Sequence, residues 1–414
     1  TIIMKNIFFI LCILVSSSLF GQIVIDRVIS KVDLSPQYEL YDGSLVSLMG
    51  YTKLIGGAID LPAPTLYYNE GDSVHLRLWN LSQNAPHTIH LHGLDVDQQN
   101  DGVPSLSWQV HHNETKTYEF IAPHPGTYSY HCHVVTPIHL QGGMYGMLIV
   151  LPADSSKTTW TGGYTYDNDY SWMTSELDTN WHSDTLFNHE HDTTAAIMTM
   201  EVPIYEPQYF LVNGKSEQQL NDTAISISSN TDEVIYLRLA NIGYHGNKFS
   251  FPTSLNAKII SSDGRPLPMV EISDSLIITP GERYGVLLEG NSALIDSIQI
   301  DYFNLNSGVV LNSQNINITI QNTIGIEHLS MNKKQFKLYP NPAQDNLTIT
   351  FNDRETNVDA TIFSTEGKII KSIKDLHDKS NHKINLQDVP RGTYFIQFKN
   401  QNGSKIESHK IIKQ

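Results

Sequence analysis

From residue 22 to residue 152 the chain alternates apolar and polar positions at period two, in short runs. The clearest are Ser73 to Trp79, Thr117 to Ile121, Thr127 to His133 and Met144 to Val150. Successive side chains on a strand point to opposite faces, so this period reads as half-buried β-strands. Gly and Pro punctuate the runs at Asn69-Glu70-Gly71-Asp72, Asp101-Gly102-Val103-Pro104 and Pro123-His124-Pro125-Gly126. No amphipathic helical period is present. The pattern predicts an all-β sandwich over residues 22–153, with Greek-key connections the usual solution.

The texture changes over residues 154–205. Trp160, Tyr164, Tyr166, Tyr170, Trp172 and Trp181 are interleaved with Asp, Asn, Gly and Thr. This reads as a linking segment packed over the sandwich, with a carbohydrate-binding aromatic patch as the alternative. Strand patterns resume over residues 206–322: Tyr209 to Asn213, Val234 to Leu239, Lys258 to Ser261, Leu276 to Thr279, Tyr284 to Glu289 and Ser297 to Tyr302. Turns at Asn213-Gly214, Asp263-Gly264 and Pro280-Gly281 separate them, and a second sandwich is expected. After a linker at 323–334, residues 335–414 carry shorter runs and read as a third, smaller β unit.

Composition narrows the function. A length of 414 residues is a prior for two or three domains, and 40% apolar residues supply their cores. The formal net charge of −16 argues against nucleic acid, which most of the surface would repel. There are two cysteines, Cys12 and Cys132. Cys12 lies in an apolar run, Ile7 to Val15, that follows Lys5 and ends near Gly21; residues 1–21 read as a secretory signal peptide. Residues 1–3 precede Met4 and read as an upstream extension. Removing the peptide leaves one thiol and no internal disulfide. No other apolar run is long enough to cross a bilayer.

The histidines concentrate between His87 and Met144. Strand parity sorts them. In Tyr130-His131-Cys132-His133 the two histidines share one face and Cys132 takes the other. In His87-Thr88-Ile89-His90-Leu91-His92, His90 and His92 share a face and His87 has opposite parity. Two metal sites, back to back, are the simplest reading. His87 and Cys132, completed by His139 and Met144 from the following loop, form two imidazoles, a thiolate and a weak thioether, the ligand set of a blue-copper electron-transfer centre. His90, His92, His131 and His133 offer imidazole nitrogens for a second ion, for which zinc competes with copper. Because Cys132 is covalently flanked by His131 and His133, an electron at the thiolate has a short through-bond path to the second face. His75, His111, His112 and His124 fit neither site.

The stretches HTIHLHGLDVDQQNDGVP and HPGTYSYHCHVVTPIHLQGGMYGMLIV resemble a cupredoxin domain of the multicopper oxidases, the laccase-like enzymes. The resemblance implies a type 1 copper at His87, Cys132, His139 and Met144, and half of a trinuclear copper cluster (type 2 and type 3 copper) at His90, His92, His131 and His133. It further implies one-electron oxidation of a phenol, amine or metal ion and reduction of dioxygen to water. YFLVNGK, YLRLANIGYHGNKFSF, IISSDGRPLP and IITPGERYGVLLEG resemble the copper-free middle domain of three-domain members. The expected fold is therefore two tandem cupredoxin-like Greek-key sandwiches. LYPNPAQDNLTI, STEGKII, VPRGTYFIQF and the terminal KIIKQ resemble the type A C-terminal sorting domain of the type IX secretion system, an Ig-like sandwich. That resemblance implies contact with the export machinery, and a secreted or cell-surface protein.

Two departures stand out. The loop from Cys132 to His139 is longer than in most three-domain oxidases and closer to that of two-domain members. The second pair of His-x-His motifs needed by a trinuclear cluster is missing: only His189-Glu190-His191 follows, while His182, His245, His328, His382 and His409 stand alone. Three readings remain open. A second copy of the chain could supply the other half in a homo-oligomer. The second face could hold a single copper as in copper nitrite reductases, with His245 of a neighbour as third ligand. Or the protein is a non-catalytic blue-copper electron carrier or copper binder.

Overall fold

The computed structural model describes residues 21–83, 85–187, 201–322, 336–351, 358–365, 367–377, 381–400 and 405–414. The signal-peptide expectation, the His189-Glu190-His191 segment and the 323–334 linker lie outside these residues. Contacts divide the chain into two compact units, 1–322 and 323–414.

The first sandwich uses eight strands: β1 (Ile23–Glu39), β2 (Leu45–Thr52), β3 (Ala63–Asn69), β4 (Ser73–Asn80), β5 (His90–His92), β6 (Thr115–Ile121), β7 (Gly126–His131) and β8 (Tyr145–Leu151). One sheet has the order β2-β1-β4-β6, the other β3-β8-β7-β5. Period two is realised on β4, where Val74, Leu76 and Leu78 point inward with no exposed surface. Each such side chain contributes about 1.5–3 kcal/mol by leaving water. The core they enter also holds Ile89, Leu91, Tyr118, Tyr130, Cys132 and Met144. Both histidine-bearing stretches are therefore embedded in, or lie on the rim of, one packed core.

Two elements depart from the expected pattern. A short helix, α1 (Thr136–Gly142), interrupts the β plan between Cys132 and Met144. Seven residues are too few to display a helical period. Its boundaries are nonetheless local: Pro137 stands in its first turn, and Gly143, at φ 110°, ends it. The second departure is strand β9 (Asn168–Leu177), which falls within the expected linking segment. It lies inside a sheet of the second sandwich, pairing with β10 (Tyr209–Val212) on one side and, in parallel, with Val234–Asn241 on the other. Trp172, read as part of that linking segment, is fully buried in the second sandwich's core.

The second sandwich has one sheet of six strands and one of five, around Leu237, Leu239, Phe249, Val286, Ile300 and Ile318. A separate apolar cluster, with Leu48, Leu61, Tyr145, Met147, Met173 and Leu211, joins the two sandwiches. The unit from residue 323 onward is a small sandwich of a three-stranded and a four-stranded sheet, with Phe336, Leu347, Ile362, Ile396 and Phe398 in its core. Among the described residues, no helix is long and apolar enough to cross a membrane.

Candidate metal centres

The first centre is built at the end of β7. Cys132 follows the last strand residue, and its N–H donates to Met144 O at 3.0 Å, extending the β7–β8 pairing by one step. The chain then enters α1 through Val135 at φ 39°. Met144 N–H donates to His139 O at 2.9 Å. Backbone hydrogen bonds thus tie Cys132, His139 and Met144 together. A Cβ at Gly143 would lie 2.9 Å from Met49 O, so both its φ and its surroundings demand glycine.

Cys132 Sγ lies 3.1 Å from His139 Nδ1 and 3.7 Å from His87 Nδ1. With bonds of about 2.0–2.3 Å to nitrogen and sulfur, a trigonal ion spreads its ligand atoms about 3.7 Å apart. The three atoms therefore fit one ion, tightly on the His139 side. His87, Cys132, His139 and Met144 are each 0% exposed. Burial pushes the Cys132 thiol above its ordinary pKa, so a bound cation is needed to stabilise the thiolate. A soft sulfur and two imidazoles, shielded from water, are a donor set suited to copper.

The second centre lies across the sheet. His90 and His92 on β5 and His131 on β7 place ligand nitrogens within 4.8 Å of one another. His92 Nδ1 approaches His131 Nε2 at 3.2 Å. His131 Nδ1 faces Cys132 O at 3.0 Å, and His90 Nδ1 faces Asp101 O at 2.7 Å. Each carbonyl accepts from a protonated Nδ1 and leaves Nε2 unprotonated, with its lone pair able to bind a metal. Burial drives His131 down to about 3; burial and then the Arg283 charge drive His92 down to about 4. Burial also lowers His90. All three are neutral at pH 7.

The structure brings His87, Cys132 and His139 together in one group and His90, His92 and His131 in another, but β7 ends at His131, not at His133. His133 is turned by its N–H, which donates to Thr88 Oγ1 at 2.9 Å. Its ring packs 5.3 Å from that of His90 and 6.0 Å from that of His131, outside the three-nitrogen group. His245 is only 9% exposed and its ring packs 5.8 Å from Tyr205, so it cannot serve as a ligand for another copy's cluster without repacking. What the second sandwich presents to His92 is Gly281, whose added Cβ would stand 3.3 Å from the imidazole. Beside it, the Arg283 guanidinium lies against Gly93 and pairs with Asp263 at 3.0 Å. Asp101, Thr88 and Arg283 escaped the sequence reading. Asp101 stood there only as part of a turn, and no local pattern signals that a turn carbonyl will meet a histidine eleven residues back.

Comparison with known proteins finds copper oxidoreductases among the relatives. Residues 44–155 match the multicopper oxidase family model and residues 337–414 match the secretion system C-terminal sorting domain. The iron transport multicopper oxidase FET3 of Saccharomyces cerevisiae is 28% identical over 234 residues, 55% of this chain and 33% of that protein. The copper-containing nitrite reductase of Alcaligenes xylosoxydans xylosoxydans is 29% identical over 220 residues, 47% of this chain and 64% of that protein. In both cases the match spans less than two thirds of the relative. Among solved structures, the blue copper oxidase from Nitrosomonas europaea aligns at TM-score 0.56 and 26% identity, covering 74% of this chain and 88% of its own.

Proposed function

Because the chain carries a multicopper oxidase domain at residues 44–155 and a secretion system C-terminal sorting domain at residues 337–414, we propose that it is an exported copper oxidoreductase. It takes single electrons from a small donor, a phenol, an amine or a metal ion. His87, Cys132, His139 and Met144 hold a type 1 copper, and His90, His92, His131 and His133 form half of an oxygen-reducing centre. Copper supplies reversible one-electron chemistry at the first centre and dioxygen reduction at the second. The observation that carries this reading is the buried triangle of Cys132 Sγ with His87 Nδ1 and His139 Nδ1, at 3.7 and 3.1 Å.

The chain's own residues provide the rest. The apolar core around Cys132 keeps water from the thiolate. One peptide bond, and a hydrogen bond from His131 Nδ1 to Cys132 O, join the two centres. The missing imidazoles come from a second copy facing the His90, His92 and His131 group. The sorting domain supports type IX export to the cell surface or the medium. A second reading, a nitrite-reductase-like single copper, is favoured by the compact three-nitrogen group that leaves His133 outside.

Copper content measured together with native mass tests these readings. More than two coppers per chain in an oligomer, with oxygen uptake, supports the oxidase. One copper with a strong blue band and no oxygen uptake refutes it in favour of an electron carrier. Nitrite turnover without oxygen uptake selects the second reading. Replacement of Cys132→Ser abolishes the blue band; survival of the colour removes the type 1 assignment.

A further inference from the structure

Every ligand of the first centre is without exposed surface, so a donor in solvent touches none of them. Residues beyond the first sandwich cover the outer side of α1, the helix that carries His139. Gln141 Nε2, two residues after His139, donates to Tyr205 OH at 3.1 Å and to Glu176 O at 2.9 Å. Tyr244 OH donates to Pro137 O at 2.6 Å. The Tyr205 ring stands 4.9 Å from that of half-buried Tyr244 and 5.5 Å from that of Trp181. Trp181 in turn belongs to the core that holds Cys132 and Met144. Aromatic rings therefore run from half-buried Tyr244 through Tyr205 to Trp181, in the core that also holds Cys132 and Met144.

Losing an electron makes a phenol strongly acidic, so oxidising a tyrosine at neutral pH requires a base to take its proton. Tyr205 has one: its hydroxyl donates to Glu176 Oε2 at 3.4 Å, an oxygen that also accepts the Tyr244 N–H at 2.8 Å. Glu176 is 4% exposed. Burial pushes its carboxyl up to about 7, against the pull of the Tyr244 amide, which matches it as a base to neutral pH. The Trp181 indole N–H has no acceptor among the described residues. Of the two inner rings, Tyr205 is the one at which an oxidising equivalent can settle.

We propose that Tyr205 and Glu176 form a redox-active pair that passes electrons from an external donor to the buried first centre. Tyr205 gives one electron to the oxidised cupric centre and its phenolic proton to Glu176 Oε2, leaving a neutral tyrosyl radical and a glutamic acid. An electron from the donor, arriving through Tyr244, reduces the radical, and Glu176 returns the proton to the Tyr205 oxygen. The inference rests on the copper reading only for the identity of the oxidant.

The test uses the metal-free full-length chain, with flash-generated tris(bipyridine)ruthenium(III) as the one-electron oxidant and freeze-quench electron paramagnetic resonance as the readout. Because the chain has 20 tyrosines, the signal is taken as the difference between wild type and Tyr205→Phe. Wild type gives a tyrosyl radical that Tyr205→Phe lacks. Glu176→Gln, close to isosteric, slows its formation by about a hundredfold, the lower end of what a positioned general base supplies. A radical yield unchanged in Tyr205→Phe, or formation at the wild-type rate in Glu176→Gln, overturns the proposal. Glu176→Gln keeps the test decisive where Tyr205→Phe disturbs packing. No copper enters the experiment, so its failure leaves the type 1 assignment standing, and loss of that assignment is read separately from the Cys132→Ser spectrum.

Discussion

Glu176 makes the stability of the protein depend on pH in a direction opposite to that of most carboxylates. It sits on β9 opposite Phe210, 4% exposed. Burial moves its pKa from an ordinary 4.5 to about 7. A carboxyl group whose folded pKa lies above its unfolded one favours the folded state while it is protonated. The contribution is complete below pH 4.5 and is lost as pH rises through about 7. At 1.36 kcal/mol per pKa unit, the loss amounts to about 3 kcal/mol. Glu176→Gln stays uncharged throughout and turns its carbonyl oxygen to the Tyr244 N–H. The mutant should therefore gain on wild type by about 3 kcal/mol between pH 4.5 and pH 8. For a unit of this size that is about 5 °C in Tm. Thermal unfolding of both proteins at a series of pH values, followed by tryptophan fluorescence, measures the difference, in which the other carboxylates cancel. A difference in Tm that stays level from pH 4.5 to pH 8 refutes the reasoning, because Glu176 would then not titrate in that window.

Other expectations follow from the centres themselves. Gly143→Ala places a Cβ 2.9 Å from Met49 O at φ 110°; strain and overpacking should cost about 2–4 kcal/mol, seen as a lower Tm with a shifted or weakened blue band. His92→Ala should reduce copper content by removing a nitrogen of the second centre while the blue band persists; loss of the band would mean that the two centres are not separable. Removing copper with a chelator should lower Tm, since an ion that binds only the folded state stabilises it by mass action, and His87→Ala should shrink that shift.

The architecture was readable from sequence wherever a single local rule governed it. Period two located β4, β6, β7 and β8 to within a residue or two, although only β4 and β6 have one face in the core, β7 and β8 being buried on both. Parity separated Cys132 and His87 from His90, His92 and His131; His90, His92 and His131 lie on paired strands, Cys132 extends the β7–β8 pairing by one step, and His87 sits in an isolated bridge to Val110. His133 lies beyond the last strand residue, where the hydrogen bond from its amide to Thr88 Oγ1 replaces the ladder as the constraint, yet its ring still packs 5.3 Å from that of His90. Helix α1 left no period to detect. β9 was hidden by its aromatic and polar composition, although Trp172, Thr174 and Glu176 on it are all buried. Tertiary pairing with β10 and with Val234–Asn241 decided its state. Glu176 and Tyr205 are 29 residues apart in sequence, and only the fold brings them to α1.

Helix α1 also changes what sequence spacing means in this protein. Cys132 and His139 are seven positions apart, yet the intervening residues coil instead of spanning a gap, and the two ligand atoms nearly touch. The main-chain bonds Cys132 N–H to Met144 O and Met144 N–H to His139 O hold the ligands from behind. Residues 133–138 are thereby relieved of setting the distance between them. A search that recognises such centres by a fixed interval between cysteine and histidine would pass over this chain. One that asks instead for a closing glycine and a methionine just after the histidine would find it.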